Sequence, residues 1–96
     1  MKFEWDENKR LRNIKKHKID FKDIQDIFEN PIVELIDTRE DYGEDRIIAL
    51  GVSNLVKNHP TVLVAVYIEV IEDTIRFISA RKALKHEQRK YYRKIF

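Results

Sequence analysis

An α+β fold is predicted for this 96-residue chain, with two N-terminal helices, an antiparallel β-meander and a C-terminal helix. Three observations carry the prediction. Apolar residues recur at helical spacing up to residue 30, the pattern turns extended and β-branched from residue 32 to residue 80, and helical spacing returns from residue 82. The length and the 43% apolar content fit a single domain, residues 1–96, with a modest core.

A short strand at 2–4 ends at Trp5-Asp6, where Asp6 is a good N-cap for a helix running to residue 17. Leu11 and Ile14 are the apolar contacts expected of that helix. Asp20 then caps a second helix, in which Phe21, Ile24, Ile27 and Phe28 form an inward face. Pro31 stops it, because proline disfavours helical geometry in the residue before it. Four strands follow, "IVELI" at 32–36, "RIIALGV" at 46–52, "TVLVAVYIEV" at 61–70 and "TIRFISA" at 74–80. Their short connections favour antiparallel pairing. The third is apolar on both faces, which places it inside the sheet. If its valine face packs on the helices, Tyr67 lies on the more open side. From residue 82 to residue 96 a helix sets Leu84, Tyr91, Tyr92, Ile95 and Phe96 against His86, Arg89, Lys90 and Arg93.

Composition excludes several classes of protein. There is no cysteine, hence no disulfide, thiolate metal site or cysteine nucleophile. The opening "MKFEWDENKR" has no apolar signal core. The longest apolar run, "VLVAVYI" at 62–68, is far short of the roughly 20 residues a bilayer requires. A cytoplasmic protein with no membrane partner is expected. Gly43 and Gly51 are isolated, so no phosphate loop is present. His17, His59 and His86 lie in three different elements without paired ligand spacing, so neither a metal site nor any other cofactor is expected.

The net charge of +2 conceals an asymmetry. Residues 1–18 hold seven Lys/Arg against three Asp/Glu, and residues 81–96 hold seven against one. Residues 19–80 hold five against thirteen. Such a distribution suits one polyanion-facing surface and one acidic surface, the alternative being ordinary solvated helix faces. On the first helix Lys9, Asn13 and Lys16 fall at i, i+4 and i+7 and share a face, read here as the wet one opposite Leu11 and Ile14. His17 sits beside that row, where it either exchanges protons or complements the helix C-terminus. Arg76 and Arg81 are five apart, so an unbroken strand would send them to opposite faces. They converge only if the chain bends at Ser79-Ala80. One would then partner an acidic residue such as Glu34 or Glu69 while the other reaches a ligand.

"FEWDENK" at 3–9, "NIKKHKIDF" at 13–21, the strand from Arg46 to Gly51, "VYIE" at 66–69, "RFISARKA" at 76–83, and Glu87 followed by Tyr91 form a composite pattern in order over nearly the whole chain. It resembles the BrnT toxins of bacterial type II toxin–antitoxin pairs. The resemblance implies a RelE-like fold and an endoribonuclease that inhibits translation. It also implies neutralisation by a BrnA-like antitoxin with a ribbon-helix-helix region, through which the complex holds promoter DNA. The acidic "DTREDYGEDR" connection and "VKNHP" are variable regions in that family, and nothing is carried over to them.

Metal-independent RNA cleavage requires cations for the phosphate and groups that move protons. The positions matching the motifs supply Lys9, Arg46, Arg76 and Arg81 as phosphate ligands, and His17, Tyr67 and Glu87 as proton-transfer candidates. Lys16, Asn13, Lys85 and Arg89 are candidates for holding RNA. Trp5, Tyr67 and Tyr92 are candidate stacking surfaces, with Trp5 alternatively a core or helix-entry residue. The competing expectation is a non-catalytic module that binds nucleic acid or the antitoxin.

Overall fold

The computed structural model describes all of residues 1–96. A five-stranded sheet organises it, formed by β1 (Lys2–Trp5), β2 (Ile32–Ile36), β3 (Ile47–Ser53), β4 (Thr61–Val70) and β5 (Thr74–Lys82) in the order β1-β5-β4-β3-β2. Strands β2 to β5 form the expected antiparallel meander. The sheet is nevertheless mixed, because β1 adds to the far edge in parallel with β5. The predicted central position of the 61–70 strand holds, since β4 is paired on both sides. Two helices accompany the sheet, α1 (Glu7–His17) and α2 (Lys85–Ile95). No helix is long and apolar enough to cross a membrane.

The second predicted helix is instead two short 3₁₀ turns, Phe21–Asp23 and Gln25–Glu29. The reason lies in the spacing of its apolar residues. Phe21, Ile24 and Ile27, each fully buried, recur every three residues, which matches the three-residue turn of a 3₁₀ helix better than the 3.6 of an α-helix. Asp20 does cap the segment as expected, through Lys22 N–H at 3.0 Å. At the other end the Asn30 amide donates to Val52 O at 3.1 Å, tying the segment to β3.

These turns cover one face of the sheet, where Phe21, Ile27, Leu63, Ala65, Tyr67 and Phe77 belong to one buried cluster. The packing is close enough that a Cβ on Gly51 would stand 3.1 Å from Ile27 Cβ. On the opposite face α2 packs Tyr91 against Leu50, Val62 and Val64. The valine face of β4 therefore meets the C-terminal helix, and Tyr67 lies in the larger core with no exposed surface. The expectation that Tyr67 faces the open side is corrected. With both faces of β4 buried, its alternation carried no sign of which side was the wetter.

Strand β5 contains a bulge that no periodicity announced. Val66 pairs with Ser79 but Tyr67 pairs with Phe77, leaving Ile78 as an extra residue. Arg76 consequently pairs with Ile68 and Arg81 with Val64, which lie on the same face of β4. The two arginines do share a face, but through the bulge at Ile78 and not a bend at Ser79-Ala80. Strand β5 continues to Lys82, and α2 begins at Lys85, three residues later than expected.

The bulge also marks where β5 changes its neighbour. Strand β1 pairs only as far as Trp5 with Phe77, because Asp6 then starts α1 by accepting from Lys9 N–H at 3.1 Å. Beyond that point Asn13 takes over. Its amide donates to Ala80 O at 2.9 Å while its Oδ1 accepts from Ala80 N–H at 3.0 Å, so one side chain makes both bonds that a neighbouring strand would have made. A further bond to Ile19 O at 2.9 Å ties in the end of the helix. Two residues of α1 depart from the predicted faces: Leu11 is 52% exposed and Asn13 only 5%, while Ile14 is half-buried and Lys16 exposed as expected. Asn13 is thus a packing residue whose amide is committed to backbone partners.

Asn13→Ala leaves the Ala80 peptide buried without partners and is expected to lower the unfolding free energy by about 2–3 kcal/mol. Urea unfolding, with the midpoint reduced and the slope unchanged, checks this.

Candidate active site

The clamp between Asn13 and Ala80 holds α1 against the bulge, and a basic cavity of about 280 Å³ opens between them. Lys9, Arg12, Asn13, Lys16 and His17 line it from the helix, and Ile78 and Ser79 from the strand. The shared face of Lys9, Asn13 and Lys16 is real, but it overlooks this cavity rather than open solvent. Arg12 was missed by the sequence reading. Its position, three after Lys9 and four before Lys16, is the signal that could have found it. None of Lys9, Arg12 and Lys16 enters an ion pair, so their charge is available to an anion.

His17 ends α1, where Lys18 adopts the left-handed conformation at φ 62° and closes the helix with a bond to Ile14 O. Burial holds the His17 imidazole below the ordinary histidine value, and the charges of Lys16 and Arg81 reinforce the effect. A histidine among cations is thereby kept neutral at physiological pH, the state in which it accepts a proton.

Arg81, on β5, does not line the cavity, but its charge acts on His17. Both of its terminal nitrogens donate to Glu87, each at 2.9 Å, in a two-point pair. Glu87 also accepts from Leu84 N–H at 2.8 Å, which caps α2. Arg81 is the main cause that holds the Glu87 carboxyl down at about 2. Glu87 is therefore an ionised, fixed carboxylate that orients an arginine. Arg76 has a separate partner, Glu4, at 2.7 Å. The expectation that one arginine pairs with Glu34 or Glu69 is corrected as well, since each has found a different carboxylate.

Glu34 instead accepts a short hydrogen bond from the Tyr67 hydroxyl. Burial and that bond push the phenol well above the ordinary tyrosine value. Tyr67 is thus an inaccessible, protonated core residue, which removes it both as a proton-transfer group and as a stacking surface. Trp5 is half-buried against Phe21, its ring 6.3 Å away. Tyr92 stays exposed and stacks on Phe96. Lys85 and Arg89 lie exposed on α2 and line neither this cavity nor the one that holds Arg46 and Arg76. His59 and His86 are both exposed, outside the cavity that His17 lines.

A cavity of cations around one neutral imidazole, beside a braced arginine, suits a phosphodiester better than a metal ion or a small apolar ligand. Comparison with known proteins agrees with that chemistry. The family model described as "Ribonuclease toxin, BrnT, of type II toxin-antitoxin system" matches residues 5–87.

The chain belongs to the BrnT family.

It is similar to the 1.1 Å crystal structure of the Brucella abortus ribonuclease toxin BrnT, with 28% identity and a TM-score of 0.64, over 88% of this chain and 99% of that one. No curated protein matches the chain. A BrnT toxin of a type II system implies an antitoxin partner. The mixed five-stranded sheet with its flanking helices is the α+β architecture of that solved relative.

The pairing of Glu87 gives a pH dependence with a definite sign. A carboxyl lowered in the folded state, from an ordinary value of 4.5 to about 2, contributes stability that is fully present above about pH 4.5 and is lost as pH falls through about 2. The stability difference between the parent chain and Glu87→Gln is expected to be constant above about pH 5 and to shrink on acidification. Thermal unfolding at a series of pH values checks it.

Proposed function

We propose that this BrnT-family chain is a metal-independent endoribonuclease that cuts single-stranded RNA and so inhibits translation. The observation that carries the reading is the neutral His17 in a cavity lined by Lys9, Arg12 and Lys16. His17 takes the proton of a 2′-hydroxyl, whose oxygen attacks the adjacent phosphorus as the bond to the 5′-oxygen breaks. The products are a 2′,3′-cyclic phosphate and a 5′-hydroxyl. The departing oxygen takes its proton from a lysine ammonium of the same cavity or from water. Lys9, Arg12, Lys16 and Arg81 supply positive charge where negative charge builds on the phosphoryl oxygens. No step calls for a metal ion, because the donor set consists of cations and an imidazole.

The partner in this reading is a BrnA-like antitoxin with a ribbon-helix-helix region, through which the pair holds its promoter DNA. The toxin acts in the cytoplasm, where its RNA is found. Exposed basic residues of α2, Lys85 and Arg89 among them, add long-range attraction for RNA without touching the scissile phosphate.

A second reading, a nucleic-acid-binding module without catalysis, is favoured by one observation: both terminal nitrogens of Arg81 are already committed to Glu87. One assay separates the two. The purified chain is incubated with a defined single-stranded RNA in EDTA, with the ends of the products identified. The expected result is scission with 2′,3′-cyclic ends, reduced at least about 100-fold by His17→Asn, in line with the loss of one proton-transfer group. The acid limb of the rate profile should lie below the ordinary histidine value of 6.5, since His17 is shifted down. Salt-sensitive binding without scission would leave only the second reading.

A further inference from the structure

Beside the cavity that holds His17 lies a second, of about 310 Å³, which shares Lys9 and Ile78 with the first. Trp5, Ile68 and Ile78 give it an apolar lining, and Arg46 and Arg76 add two cations. Three carboxylates also line it: Glu4, Asp6 and Glu44. Two of them are committed. Glu4 accepts from Arg76 at 2.7 Å, and Asp6 caps α1 at Lys9 N–H.

Glu44 is not. Its Oε1 stands 3.5 Å from Arg46 Nε, and that nitrogen is buried without a hydrogen-bond partner. The Arg46 guanidinium meanwhile lies over the Tyr42 ring, 3.9 Å from its centre, and this contact fixes its position. A positioned cation with an unmet buried donor leaves in the free protein an unfavourable contribution that an incoming acceptor would remove. The one anion beside it is held too loosely to do so.

We propose that this second cavity is a subsite for a neighbouring nucleotide of single-stranded RNA. A phosphate oxygen accepts from Arg46 Nε in place of Glu44, and a base lies on the apolar lining provided by the half-exposed Trp5 and Ile78. The position of the scissile phosphate, in the adjoining cavity, rests on the nuclease reading above. Lys9, common to both cavities, bridges the two nucleotides. Single-stranded RNA fits because its bases can leave the stack to lie on an apolar surface, which a duplex does not permit. Glu44 is then an internal competitor that screens Arg46 until a phosphate displaces it.

The test is a double-mutant cycle on the full chain, read as anisotropy of a labelled 2′-O-methyl oligoribonucleotide that cannot be cleaved. Glu44→Gln should tighten binding by about two- to five-fold, the range of an exposed ion pair. Arg46→Ala should weaken it by about ten-fold. It should also reduce the slope of log K against log salt by about 0.7, one phosphate contact on a single strand. In the Arg46→Ala background Glu44→Gln should have no effect, because the competition it relieves is gone. An equal effect of Glu44→Gln in both backgrounds, or unchanged binding by Arg46→Ala, overturns the subsite. Arg46→Lys, which keeps the charge but loses the fork, replaces Arg46→Ala if circular dichroism shows the latter unfolded, and must then weaken binding. Because the probe cannot be cut, a chain that obeys the cycle yet cleaves no RNA refutes the nuclease reading and leaves the subsite standing.

Discussion

Everything in the candidate site depends on one side chain satisfying one peptide. Asn13 gives the Ala80 backbone both of its hydrogen bonds. It does so at the stretch of β5 that β1 no longer covers. An open strand edge would otherwise present bare polar groups to the core or to another chain. A helix closing that edge through a side-chain amide is a more specific solution than a longer β1, because it fixes the rotation of the helix as well as its position. That rotation sets Lys9, Arg12, Lys16 and His17 against Ile78 and Ser79. A neutral substitute at Asn13 would lose the geometry before it lost any charge.

The bulge at Ile78 is the second constraint, and it works with the first. It shifts the alternation of β5 by one residue, so that Phe77 and Ala80 both enter the main core although they are three positions apart. The same shift brings Arg76 and Arg81 to one face. Their partners come from opposite ends of the chain: Glu4 on β1 and Glu87 on α2. The basic terminal segments seen in the sequence are therefore drawn to the two sides of one strand. The acidic middle is used differently. Glu34 holds Tyr67, and the buried Asp37 accepts from Arg39 at 2.9 and 2.8 Å within the connection between β2 and β3.

Much of this architecture was legible in the sequence. The change from helical to extended period, the turn residues and the doubly apolar centre of β4 are local signals, and with the short strand before Asp6 they place all five strands, α1 and α2. The reading failed where the signal was weak or two-sided. A three-residue apolar spacing was taken for a helical one, so two 3₁₀ turns were expected as a single helix. Both faces of β4 are buried, so nothing local told which side Tyr67 would take. Helical spacing sets Asn13 with Lys9 and Lys16 opposite Leu11 and Ile14, whereas its burial depends on a peptide 67 residues away. The bulge was invisible for the same reason, since an extra residue is defined only by the register of its partner strand. The family resemblance supplied the motif positions but not these distances.

The ionic partners divide the cations of the site into two kinds. Arg76 and Arg81 are braced by carboxylates, whereas Lys9, Arg12 and Lys16 stand free. A braced arginine is rigid and carries reduced net charge, so it shapes a site at small reorganisation cost. A free lysine keeps its full charge and its torsional freedom, which suits the capture of a flexible polyanion. Placing His17 beside the free lysines adds a further consequence. One of those free cations, Lys16, is also among the charges that, after burial, hold the imidazole below its ordinary value. An anion that neutralised Lys16 would therefore make the imidazole easier to protonate, so charge captured at this face feeds back on the histidine beside it.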